Sequence, residues 1–165
     1  GLNSFSKKYI KNMLARVTSY IEEATSVTPN YVSYMDKSTK NPFEIEHIIC
    51  DHFEWFEPEY ADQEEFKRWR NNIGGLLLLH KSINASLNDA LYPVKLAKYC
   101  SNEGNIYTES LGQQAYQNNP RFNRFVAENA LPFTAYESFG KDQITARCML
   151  FAKLMKLVWN EKEFV

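Results

Sequence analysis

Apolar and polar positions along this 165-residue chain change their period several times, and each change marks an element. Over 4–24, Phe5, Tyr9, Ile10, Met13, Leu14, Val17, Tyr20 and Ile21 recur at three- and four-residue spacing, which predicts a helix with one core-facing stripe. Ser4 is the expected cap, because its hydroxyl can accept a hydrogen bond from a first-turn N–H. Residues 26–41 carry Thr, Ser, Asn, Pro and Lys without a period and read as an irregular connection. The short β-branched run 43–49 predicts a strand. Residues 51–65 are acidic and aromatic, with Trp55, Phe56 and Tyr60 between carboxylates. They read as a loop leading into a helix that runs through Trp69.

Gly74 and Gly75 interrupt that helix before Leu76-Leu77-Leu78-Leu79, an apolar run too short for a helix and suited to a strand buried on both faces. A helix is expected over 83–99, kinked or divided at Pro93, which has no N–H to donate. Residues 105–132, rich in Asn, Gln and Tyr, are expected to hold short helices. A last helix follows, capped by Asp142, with Ile144, Cys148, Phe151, Met155 and Val158 or Trp159 as its apolar stripe. The N- and C-terminal helices are expected to pack together.

Composition narrows the class. A chain that is 44% hydrophobic and 15% aromatic can bury a core, and no Pro/Gly/Ser-rich linker divides it, so one domain over 1–165 is expected. No apolar run approaches the roughly 20 residues that span a bilayer, and no signal-peptide pattern opens the chain. Cys50, Cys100 and Cys148 are scattered and form no CxxC pair, so reduced thiols in a cytoplasm are the expectation. Gly1 ahead of an immediate helix signal reads as a residue left by expression, and the chain is expected to be the C-terminal part of a longer protein. A net charge of −1 speaks against a uniformly basic surface, so contact with nucleic acid would have to come from local clusters.

The chemistry-bearing stretch runs from Glu46 to Lys95. It holds an acid-histidine pair ending a strand, a loop, a glycine turn into a second strand, and a helix carrying Asn84. Asn84 and Asn88 lie four apart, so on a continuous helix they would point the same way and could share one ion or phosphate. Amide oxygens beside a carboxylate suit a hard cation such as Mg²⁺. Phosphodiester hydrolysis needs a base near neutrality, positive charge against the phosphate, and stabilisation of the leaving oxygen. His47, one metal ion and a lysine would supply all three. In an ideal strand, however, Glu46 and His47 point to opposite faces, so their convergence requires a bend near His47. His52 and His80 have no partner at a telling spacing and read as structural.

In this order and spacing, "EHII", "NNIGGLLLL" and "INASLNDALYPVK" resemble HNH nucleases, specifically the C-terminal half of GmrSD-type modification-dependent restriction enzymes. The ending "ITARCMLFAKLMKLVW" is similar to that family's last helix. The resemblance implies a ββα-metal (His-Me) finger in which His47 is the general base and Glu46 the acidic metal ligand. It makes Asn84 the helix-borne ligand, Asn88 a second polar residue on that helix, and Lys95 a catalytic lysine. It also implies Mg²⁺ or Mn²⁺ as cofactor, DNA as substrate, phage or foreign-DNA defence as role, and an N-terminal ParB-like nucleotide-dependent domain in the full-length protein.

Two positions depart from the family pattern. Gly75 stands where an Asn is usual, with Asn71 or Asn72 as stand-ins for its hydrogen bonds across the loop, and Cys50 stands where a proline is common. The expected fold is α+β, a ββα finger inside a mostly helical shell. Asn71, Asn72, Gly74 and Gly75 form its loop, and Lys67, Arg68, Arg70, Lys81 and Lys98 form a basic rim for DNA. The rival readings are a degenerate finger that binds nucleic acid or a partner without turnover, a purely structural helical domain, and RNA as the substrate.

Overall fold

The computed structural model describes residues 4–101 and 104–160, without the side chains of Ser4 and Phe5, so the expected Ser4 cap lies outside the described residues. Helix α1, Ser4–Ala24, opens the chain, followed by the short α2, Tyr31–Met35. Strand β1, Phe43–His47, leads through a 3-10 turn at Phe53–Trp55 to α3, Gln63–Arg70. A second 3-10 turn, Ile73–Gly75, feeds β2, Leu76–His80. Then come α4, Lys81–Ser86, α5, Tyr92–Tyr99, α6, Ile106–Glu109, α7, Pro120–Glu128, and α8, Lys141–Val158.

The fold is α+β: a two-stranded antiparallel sheet within a helical shell. The register pairs Phe43 with His80 and runs without a slip to His47 opposite Leu76. All four leucines of β2 are buried, as their uninterrupted run requires of a strand covered on both sides. β1 is shorter than expected: it stops at His47, although Ile48 still donates its N–H to the Gly75 carbonyl at 3.0 Å and stays buried with Ile49.

The helix expected over 83–99 is two helices, α4 and α5, separated by 87–91. Pro93 sits in the first turn of α5, where a missing N–H costs nothing. α8 begins one residue before Asp142. Its cap position is Gly140, whose N–H donates to the Gln143 side chain at 3.0 Å, which leaves Asp142 in the first turn. In α1, Leu14, Val17 and Ile21 are fully buried, whereas Tyr9 faces solvent at 54% exposure.

α1 packs against α8, and α8 lies on the turn that precedes β2. That seat depends on Gly74: a Cβ there would lie 2.2 Å from the Ile144 carbonyl oxygen. Arg147, 1% exposed, donates from Nε to the Gly74 carbonyl at 3.0 Å and stacks its guanidinium over Tyr107. No helix among the described residues is long and apolar enough to cross a membrane.

Candidate active site at the end of the first strand

His47 is the last residue of β1, half-buried between the strand end and α3. Its Nε2 lies 3.0 Å from Asn71 Oδ1, and the amide of Asn71 is oriented by donation from Nδ2 to the Lys67 carbonyl at 2.7 Å. With the amide oxygen turned to the ring, Nε2 carries the hydrogen and Nδ1 keeps the lone pair. Burial pushes the imidazole down to about 4; the Arg70 guanidinium and the Lys95 ammonium push the same way, while the Asn71 hydrogen bond and Asp51 oppose them. At neutral pH the ring is therefore uncharged.

Glu46 takes the other side of the strand. It is 4% exposed, and its Oε1 accepts from Lys95 Nζ at 2.7 Å and from the Tyr99 hydroxyl at 2.7 Å. Lys95, 2% exposed, also donates to the His47 carbonyl at 2.7 Å. Both partners come from α5, one turn apart on a single face. The expected bend near His47 is absent, because the ladder stays regular to Leu76, and so Glu46 and His47 diverge as alternate strand residues do.

Asn84 lies on α4 beside β1, half-buried, and donates from Nδ2 to the Ile45 carbonyl at 3.4 Å. Asn88 does not share its helix face: α4 ends at Ser86, and Asn88 is exposed in the turn beyond. Among the described residues, no group of three or more His, Cys, Asp and Glu side chains is arranged to hold a metal ion.

The loop residues divide their work. Asn71 orients His47. Asn72 caps the turn before β2 by accepting from the Gly74 N–H at 3.3 Å, and Gly75 is buried behind it. Of the basic residues, Arg70 is turned inward, donating to the Ile49 carbonyl at 3.0 Å with Asp51 beside it at 3.6 Å. Lys67 pairs with Glu64 at 2.9 Å, Arg68 is exposed, and Lys98 is half-buried on α5. Lys81 follows His80, at the opposite end of the hairpin from His47.

Sequence reasoning overlooked Tyr99 and Asp51. It also overlooked a groove of about 640 Å³ whose lining includes His47, Ile45 and Phe43 together with Lys7, Lys8, Lys11 and Lys37. The signal for three of these was present: Lys7, Lys8 and Lys11 recur at helical spacing on α1, beside the apolar stripe that drew the eye.

These features define a class: an α+β domain with an oriented, uncharged histidine at the end of a buried two-stranded ribbon. Residues 2–154 match the family model of the C-terminal domain of GmrSD restriction endonucleases, and the chain belongs to that family. None of the curated proteins and none of the solved structures compared with it matches. The family is one of restriction-endonuclease domains, so nuclease is the class of activity and DNA the class of substrate that membership implies.

Proposed function

We propose that this domain hydrolyses DNA phosphodiesters in defence against phage or foreign DNA, with His47 as the general base. The observation that carries the reading is the His47–Asn71 pair. It holds an uncharged imidazole with a lone pair on Nδ1, in the wall of a groove of about 640 Å³. Water attacks phosphorus, its proton goes to Nδ1, and the bond from phosphorus to the 3′-oxygen breaks, that oxygen leaving with the electron pair and taking a proton from solvent. The depressed basicity of His47 keeps the ring ready at neutral pH at some loss of proton affinity.

The resemblance implies Mg²⁺ or Mn²⁺, which Glu46, Asn84 and Asn88 would hold. The donors of this chain do not fit that ion as they stand. The carboxylate is enclosed and already answered by an ammonium, the ring lies across the strand, and Asn88 is outside the helix. Lys95 is equally enclosed, so its part is to position Glu46 and the His47 backbone rather than to touch a phosphate. The same arrangement, with Gly75 at the usual Asn position, favours a second reading in which the finger binds nucleic acid without turnover. In the longer protein, a preceding ParB-like domain would select the target.

Nicking of supercoiled plasmid, unmodified and modified, by the full-length protein and by this chain, with Mg²⁺, Mn²⁺ or EDTA, separates the readings. Cleavage reduced by roughly 10²–10⁴-fold in His47→Ala supports the base. Equal cleavage by both proteins removes His47 from the chemistry, and binding without cleavage on every substrate selects the binding module.

A further inference from the structure

The groove beside His47 is lined predominantly by positive charge. Lys7, Lys8 and Lys11 come from α1 at positions that share a helix face, and Lys37 comes from the segment after α2. Phe43, Ile45 and His47, alternate residues of β1, line the same groove. Glu44 is the single carboxylate among the lining residues, set against four lysines.

The lysines are not equivalent. Lys11 is 8% exposed and donates to the Phe43 carbonyl at 2.6 Å, which ties α1 to the start of the strand. Burial and the neighbouring Lys37 lower its proton affinity, and Glu44 and Asp36 oppose them. Lys7, Lys8 and Lys37 are exposed, and among the described residues none of them is ion-paired with a carboxylate. Positive charge concentrated in a concave wall raises the local potential of a protein whose net charge is only −1.

We propose that this groove is the track for the DNA backbone: Lys7, Lys8 and Lys37 take successive phosphates and lead the strand along β1 to His47, while Lys11 holds the two walls together. The proposal rests on the nuclease reading and adds the path that the substrate follows. From Phe43 to His47 the strand advances about 13 Å. That matches about four nucleotides of B-DNA rise, so three phosphate contacts fit the available length. The track is built on α1, β1 and the segment after α2, whereas Lys67 and Arg68 belong to α3 and do not line it.

Affinity for a duplex measured by fluorescence anisotropy as a function of salt tests the track directly, with the 165-residue chain carrying His47→Ala and in EDTA so that nothing is cut. Each lost phosphate contact lowers the slope of log affinity against log salt by about 0.9. Lys7→Ala/Lys8→Ala/Lys37→Ala is expected to lower it by about 2.7. The parent should then weaken about 40-fold more than the variant between about 50 and 200 mM salt.

Arg121→Ala/Arg124→Ala/Lys156→Ala removes the same charge from exposed positions on α7 and α8 and is expected to leave the slope alone. A slope unchanged in the groove variant, or lowered equally by the control, overturns the track and leaves the His47 chemistry standing. Tighter binding to the same sequence as duplex RNA overturns DNA as the occupant. A parent that binds no DNA overturns the track, while the nuclease reading stands or falls on the plasmid assay with the full-length protein.

Discussion

Glu46, Lys95 and Tyr99 form a closed set: a carboxylate 4% exposed, an ammonium 2% exposed, and a hydroxyl that shares the same oxygen. Removing one charge strands the other in a place water does not reach, and the cost of breaking such a buried pair is about 3–5 kcal/mol. Glu46→Gln keeps the shape and an acceptor for Tyr99 but leaves Lys95 uncompensated. Lys95→Met keeps the stem volume and leaves Glu46 uncompensated. For a domain of this size each kcal/mol moves the Tm by about 2–4 °C, so each single variant should lose about 6–20 °C. The double variant should recover at least half of the summed loss, because an apolar stem beside a neutral amide leaves no stranded charge. Thermal and urea denaturation in EDTA measure all four proteins. Singles that each cost under about 1 kcal/mol, or a double that costs their sum, would show that Glu46 and Lys95 do not compensate each other.

Titration of the His47 ring by NMR should give a midpoint near 4, well below the ordinary histidine value; a midpoint above 6 would refute its burial beside Arg70. The unfolded chain takes up this proton near pH 6.5 and the folded chain only near 4. The residue's contribution to stability is therefore complete above pH 6.5 and declines as pH falls toward 4, by up to about 3 kcal/mol, readable in urea midpoints between those limits. Gly74→Ala must displace α8 from a backbone oxygen and should cost about 3 kcal/mol or more, whereas Gly75→Ala, with nearest atoms at 3.6 Å or beyond, should cost less than about 1. Equal Tm losses for the two alanines would refute the close approach of α8.

Patterns that repeat along one element were legible in the sequence. The buried Leu14, Val17 and Ile21 of α1, the four leucines of β2 and a break in the helix ahead of Pro93 all follow from local period and backbone chemistry, and the structure has them. The direction of Glu46 was half legible. Strand alternation alone sends it away from His47; only the assumption of a bend brought the two together, and the continuous pairing to Leu76 removes that assumption. Asn88 required α4 to run a turn longer than it does. The lysine groove was hidden for another reason: Lys37 joins Lys7, Lys8 and Lys11 only once α1, α2 and β1 have packed, and no spacing along the chain encodes that meeting. The inward turn of Arg70 toward Ile49 depends on the same kind of long-range contact.

His47 is held from two directions by two helices. Lys95 of α5 grips its carbonyl, and Asn71, at the end of α3, grips its ring. The position of the residue and the aim of its imidazole are thus separate adjustments, one made through the floor of the strand and the other through the loop above it.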